Sequence, residues 1–183
     1  MLKNPFVKLI MFFVLVLAVS SCDQTRLRNK GNQFFEKQPA LATYDYSSKT
    51  IPEGYAKVEI DSTLSNGFKV FTKFVTTTDS VYKIENDRVG HYNKTEYREF
   101  QSEVRISFQD ELILEKRIDK AMFRNNDDDF WNASFMQSFS IDEESSFGNA
   151  LAFSVTFYNP SAEKFLDYHL IIDAKGNYEI QKA

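Results

Sequence analysis

Hydrophobic and polar residues alternate with a period of two along most of the chain beyond residue 54, which predicts β-strands. The clearest case is 103–108, where Val104, Ile106 and Phe108 alternate with charged residues and serine. Asn66 followed by Gly67, between two alternating runs, is a strong hairpin signal. Strands with one apolar and one polar face are typical of antiparallel sheets.

Several other runs have one apolar face, which we expect to point into a core. These faces are Phe68, Val70, Thr72 and Phe74; Phe135, Phe139 and Ile141; Leu151, Phe153, Val155 and Phe157; and Leu166, Tyr168, Leu170 and Ile172. We expect the strand that starts at Phe68 to end at 76–80, where a polar run precedes a new strand at Val81. Asn177 and its neighbours predict a further turn before a short closing strand.

The segment 118–132 departs from this alternation. Ile118, Met122 and Phe123 have helical spacing, and the polar run 125–129 interrupts them. The pattern as a whole predicts a mainly β fold: an antiparallel β-sandwich or partly open barrel of about eight or nine strands. It also predicts one short helix or irregular crossover near 118–132.

Three regions follow from the changes in composition along the chain. Residues 1–21 are a basic and then apolar segment, and 22–52 are largely polar, with Pro39 and Pro52 as punctuation. We predict a signal peptide over 1–21, a lipidated N-terminus and tether over 22–52, and one β domain over 53–183.

Cys22, the only cysteine, follows Val19, Ser20 and Ser21 and the apolar run 9–19, with Lys3 and Lys8 upstream. The run is shorter than the roughly 20 residues that a membrane span needs, which favours a signal peptide. The arrangement resembles a bacterial lipoprotein signal, in which the cysteine is lipidated and becomes the mature N-terminus. That resemblance implies a palmitoylated, membrane-anchored protein held on the bilayer through Cys22.

The charge of the chain argues against nucleic acid as a partner. It has 22 basic and 26 acidic residues, and the predicted signal contains two of the lysines, so the mature protein is more acidic than the whole. Proteins that bind nucleic acid draw most of their affinity from a basic surface. We also expect no cofactor, since the chain has only six glycines and no glycine-rich phosphate loop.

Trp131, the only tryptophan, lies next to the acidic run, so Trp131, Asp127 and Asp129 form a candidate ligand site. A tryptophan can stack on a sugar ring while carboxylates bind its hydroxyl groups, although large aromatic residues are more often buried. The acidic run lacks the glycine and glutamate of a calcium-binding loop, so we predict no metal site.

The residues supply no recognisable catalytic set. His91 and His169 are the only histidines, far apart in the sequence, and no nucleophile motif accompanies them. We therefore predict a protein that is not an enzyme and has no catalytic residues, with a hydrolase as the least favoured alternative.

Ser62 and Ser80 each follow an aspartate and precede Thr63 and Val81, respectively. Both triplets resemble the O-glycosylation signal of exported proteins in a group of Gram-negative gut anaerobes. We expect both serines at strand ends or turns, where they would be accessible to modification.

The segment from about Tyr55 to Lys182 resembles the outer-membrane lipoproteins of unknown function that are abundant in those bacteria. The resemblance rests on the closing meander, 153–160 followed by 166–173 and Gly176. It implies an envelope lipoprotein whose β domain binds a partner protein or a small ligand, or alternatively a carbohydrate. After Cys22 a single Asp23 is soon followed by basic residues, which slightly favours the periplasmic face of the outer membrane over the cell surface.

Overall fold

The computed structural model describes residues 46–86, 90–124 and 129–183. Within these ranges the chain forms nine strands, numbered here in chain order. They are β1 Tyr46–Ile51, β2 Lys57–Thr63, β3 Phe68–Asn86, β4 Tyr92–Phe108, β5 Glu111–Ile118, β6 Phe135–Asp142, β7 Ala150–Asn159, β8 Lys164–Asp173 and β9 Tyr178–Lys182.

The larger sheet is built on the long antiparallel hairpin of β3 and β4. β2 pairs with β3, and β5 pairs with β4, at the open end of this hairpin. β1 pairs with β4 at the turn end and runs parallel to it. The predicted antiparallel pairing holds for every other pair of neighbouring strands in the described residues, and β1 with β4 is the exception. The last six residues before Pro52, which the sequence assigned to the tether, form a strand of the domain.

The smaller sheet is an antiparallel meander in the order β6-β7-β8-β9. Its apolar face packs against the open-end half of the larger sheet, and the two faces together form the main hydrophobic core. In the described residues both strand orders are open, so the fold is a β-sandwich and not a closed barrel. The predicted inward faces of β7 and β8 are confirmed, with Leu151, Phe153 and Leu170 fully buried.

A bulge in the middle of β3 gives the larger sheet a corner. Thr76 pairs with Phe100 and Ser80 with Arg98, so the three residues 77–79 of β3 lie opposite the single Glu99 of β4. The predicted strand end at 76–80 is therefore wrong, because the chain bulges there and continues in the same strand. Bulges bend and twist the strands that contain them.

The larger sheet turns opposite faces to the smaller sheet on the two sides of this corner. On the open-end side, Ile106 and its even-numbered neighbours in β4 face the core. On the turn-end side, Tyr97 stacks on Phe135 of β6, with ring centroids 5.3 Å apart. The turn-end half, comprising β1, 80–86 of β3 and 92–98 of β4, is called the arm below.

The predicted irregular crossover between β5 and β6 is confirmed. A 3₁₀ turn covers Lys120–Met122, and Asp119 caps it by accepting a hydrogen bond from the Ala121 backbone N–H at 3.1 Å. A single helical turn, Asp129–Asn132, precedes β6. A bulge in β6 between Met136 and Ser138 places Phe135 on the face opposite Phe139, so the shared inward face predicted for these two residues is wrong.

Candidate ligand site at the corner of the larger sheet

A cleft of about 700 Å³ lies where the larger sheet bends, between the β3 bulge and the 3₁₀ turn. We call it the corner cleft. Its lining residues are 77–81 of β3, 99–101 of β4, Arg117, 119–121 and Asn132. Ligand sites for small molecules have volumes of about 300–1,000 Å³, so the corner cleft has the size of such a site.

Glu99 and Lys120 form a largely buried ion pair in the corner cleft. The Lys120 Nζ lies 2.6 Å from Glu99 Oε2, with side chains 25% and 12% exposed respectively. Glu99 Oε1 accepts a hydrogen bond from the Met136 backbone N–H at 2.8 Å, and Lys120 donates to the Ser134 carbonyl at 2.6 Å. The pair therefore joins β4, the 3₁₀ turn and the start of β6.

The remaining polar groups of the corner cleft offer both donors and acceptors. Arg117 Nε lies 3.4 Å from Asp119 Oδ2 on one side, and the threonine hydroxyls of the bulge lie on the other. Gln101 and Asn132 also line the cleft and carry side-chain amides, whereas the ring of Phe100 stacks on Phe74. Such a mixture can hydrogen-bond an uncharged polar molecule, since both principal cations already have anionic partners.

Among the residues of this cleft, sequence reasoning singled out Ser80 alone, and as a glycosylation site. Glu99 and Lys120 are 21 positions apart, and neither belongs to a recognisable motif. The polar run 76–80 was the only local signal, and it indicated the end of a strand. The bulge that brings these residues opposite Glu99 depends on the pairing of β3 with β4.

Trp131 lies in the core, and the hypothesis that it stacks on a sugar is wrong. Its side chain is 2% exposed and packs edge-on against Phe157, with ring centroids 5.0 Å apart. The helical turn is fixed from both sides, because Asn159 donates to the Phe130 carbonyl at 3.0 Å and Ser134 to the Trp131 carbonyl at 3.4 Å. The single tryptophan is thus a packing residue.

Of the two acidic residues of that predicted site, the structure describes Asp129 alone, and Asp129 does not share a cavity with the buried Trp131. Asp129 is exposed at the first position of the helical turn and lines a separate cavity of about 610 Å³, together with Lys164 and Phe165. Asp127 lies outside the described residues. Within the described ranges, no cluster of three or more His, Cys, Asp or Glu side chains could hold a metal ion.

Ser62 and Ser80, the predicted glycosylation sites, differ in their surroundings. Ser62 is half-buried at the end of β2. Ser80 lies inside β3 at the bulge and not in a turn, and its hydroxyl donates to Glu96 Oε1 at 2.8 Å. This hydrogen bond is the main reason that the pKa of Glu96 is lowered.

The two histidines lie on different parts of the fold. His91 precedes β4, and His169 lies on the outer face of β8, as its alternation predicts. His169 Nδ1 is 3.5 Å from Asp142 Oδ2. Hydrogen bonds from Ser145, by its hydroxyl and then its backbone N–H, lower the pKa of Asp142, and the charge of His169 adds a smaller effect.

No protein-family model matches the chain, and a search of curated proteins finds no similar sequence. The part of the chain that the structure describes contains no helix long and apolar enough to cross a bilayer. Cys22 and the apolar run before it lie outside the described residues.

Proposed function

We propose that this chain is a lipid-anchored binding protein of a bacterial outer membrane, and that its β domain takes a small polar ligand in the corner cleft. Cys22 carries the anchor in this proposal, for the reasons that the sequence supplies. The corner cleft is the observation that favours a ligand, because it combines the volume of a small-molecule site with a preformed polar lining.

A saccharide is the ligand class that best matches this lining. Sugar hydroxyls both donate and accept hydrogen bonds, and the amides of Gln101 and Asn132 with the bulge hydroxyls can do the same.

The ligand proposal can be tested with the purified protein and a panel of neutral monosaccharides and short oligosaccharides. Binding is followed by ¹H–¹⁵N NMR, in which the side-chain amides of Gln101 and Asn132 should shift. Loss of one hydrogen bond in Gln101→Ala should weaken binding about 3- to 10-fold.

Gln137→Ala is the matched control, since Gln137 is an exposed amide on β6 outside the corner cleft. It should leave binding unchanged. The saccharide proposal fails if no member of the panel binds, or if Gln101→Ala and Gln137→Ala bind equally well.

The anchor is tested separately with Cys22→Ala in cells. The variant should incorporate no labelled palmitate, and it should accumulate as uncleaved precursor or leave the membrane. If it instead fractionates with the membrane at the mature size, Cys22 is not the anchor.

A further inference from the structure

The arm exposes apolar and aromatic side chains on one of its two faces. Tyr46, Tyr82, Ile84 and Tyr92 all point to the same side, and they are 60%, 45%, 65% and 37% exposed. We call this set the tyrosine face. Large apolar side chains grouped on one surface are typical of an interaction site.

The tyrosine face is preformed, because the opposite face of the arm is fixed to the smaller sheet. There Lys83 lies 2.7 Å from Glu163 of the β7–β8 loop, and Tyr97 stacks on Phe135. Lys83 donates hydrogen bonds to Glu163 and to Glu85, and these two bonds, that to Glu163 first, raise the pKa of Lys83. The arm therefore presents its other face to solvent without rearrangement.

The tyrosine face lies at the end of the domain where the chain from Cys22 enters. β1 begins at Tyr46, which pairs in register with Tyr92, and Tyr92 pairs with Asn86 at the turn end of the hairpin. Only 23 residues lie between Cys22 and Tyr46. Fully extended at about 3.4 Å per residue, they span no more than roughly 80 Å.

The chemistry of the face matches the boundary between lipid and water. Tyrosine is enriched at this boundary because its ring is apolar and its hydroxyl is hydrated. Lys94 lies between the rings, with its Nζ 3.9 Å from the centroid of Tyr82, and a lysine there can reach lipid phosphates. The charged residues at even-numbered positions of β4 in the arm are Lys94, Glu96 and Arg98. They carry one net positive charge, although the chain as a whole is acidic.

We propose that the tyrosine face rests on the surface of the bilayer that holds the Cys22 lipid. This inference rests on the proposed anchor. It adds that the bilayer orients the domain: the arm lies against the lipid head groups, and the open end of the β3–β4 hairpin points away from them.

Labelling of introduced cysteines can test this orientation in the full, lipidated protein. The lipid occupies the sulfur of Cys22, so an added cysteine is the only free thiol. Ile84→Cys places a fluorophore on the tyrosine face. Leu112→Cys is the matched control, because Leu112 is 52% exposed and lies at the other end of the hairpin.

Both labelled proteins are reconstituted into vesicles of phosphatidylethanolamine and phosphatidylglycerol. At Ile84→Cys, iodide in the water should quench the fluorophore several-fold less than at Leu112→Cys, and lipids with a spin label should quench it more. Equal quenching at the two positions would overturn the inference.

Two further controls test whether a second copy of the chain or another protein, and not lipid, covers the tyrosine face. If the protection at Ile84→Cys disappears when the protein is diluted with lipid, the face binds a second copy of the chain. If protection is found in native membranes but not in vesicles, the face binds another protein. Either result overturns contact with lipid.

Mass spectrometry separates failure of this inference from failure of the anchor. A protein without diacylglycerol on Cys22 would overturn the anchor, and the inference with it. A lipidated protein whose Ile84→Cys probe is open to iodide in vesicles and in native membranes would overturn the inference alone.

Discussion

Among the polar contacts of the described residues, we expect loss of the Glu99–Lys120 ion pair to reduce the free energy of unfolding most. Glu99→Ala removes the carboxylate that contacts the Lys120 ammonium at 2.6 Å and the Met136 backbone N–H at 2.8 Å. The backbone N–H and the ammonium then remain in a region that water reaches only in part. Since the pair joins β4 to the start of β6, its loss also loosens the corner that forms the cleft.

The expected cost follows from the burial of the two side chains. Removal of one partner of a fully buried pair costs about 3–5 kcal/mol, and a hydrogen bond to a charged group contributes about 1.5–3 kcal/mol. Because Lys120 is 25% exposed, water can partly replace the lost carboxylate. We expect Glu99→Ala to reduce the free energy of unfolding by about 2–4 kcal/mol.

Urea denaturation followed by Trp131 fluorescence measures this cost, since the single tryptophan is buried and becomes exposed on unfolding. Glu103→Ala is the matched control. Glu103 lies on the same strand and pairs with Lys73 at 2.9 Å, but its side chain is 50% exposed. An exposed pair of this kind contributes less than about 1 kcal/mol.

A double-mutant cycle separates the ion pair from other effects of substitution. Glu99→Gln with Lys120→Met removes both charges, so it should cost less than the sum of the single variants, by at least about 1 kcal/mol. The reasoning is refuted if Glu99→Ala costs no more than Glu103→Ala, or if the cycle shows additive costs.

Three further predictions concern other parts of the fold. Gly176→Ala should cost more than about 2 kcal/mol, because Gly176 has a φ of +82° and its Cβ would lie 2.2 Å from a β5 carbonyl oxygen. Gly148→Ala, also at positive φ but in open space, should cost only about 1–2 kcal/mol. If the two variants lowered the urea midpoint equally, the predicted clash at Gly176 would be wrong. Hydrogen bonds from Ser145 lower the pKa of Asp142, so its carboxylate stabilises the fold above about pH 4 and this contribution is lost as the pH falls further. The difference in urea midpoint between wild type and Asp142→Asn should therefore narrow as the pH falls below about 4, and a constant difference would argue against this role of Asp142. A chain that begins after β1 should melt several degrees below one that begins at the first residue of β1, because β1 pairs with β4 along its whole length; equal melting temperatures would show that β1 adds no stability.

The alternating pattern was sufficient to predict the inner faces of most strands. Side chains in a strand alternate between its two faces, so Val104 and Ile106, or Leu151 and Phe153, must share a side whichever partners they meet. The hairpin at Asn66 and Gly67 was predictable for a similar reason, and Gly67 has a φ of +92°. These are local properties, which a few neighbouring residues decide.

The bulges in β3 and β6 could not be predicted from the alternating pattern. The polar run 77–80 has the composition of a turn, and only its pairing partners in β4 make it a bulge within one strand. β1 has too little apolar character to be recognised as a strand, and pairing with β4 is what stabilises it. Trp131 was ambiguous because an aromatic residue beside acids fits either a core or a binding site.

The sequence by itself determined a mainly β domain and most of the residues that line its core, and it predicts a signal for lipidation at Cys22. It did not determine the corner cleft or the tyrosine face. Glu99 meets Lys120 only because β4, the 3₁₀ turn and β6 converge at the bend. Likewise, Ser102, Val104 and Ile106 of β4 are buried beyond the bend, whereas in the arm Tyr92 is exposed and the other even-numbered residues of β4 are half-buried. The reason is that β4 turns its even-numbered face to the core on one side of the bend and its odd-numbered Tyr97 to the smaller sheet on the other. Alternation along a strand indicates that two faces differ, but only the packing of the sheets decides which face meets solvent.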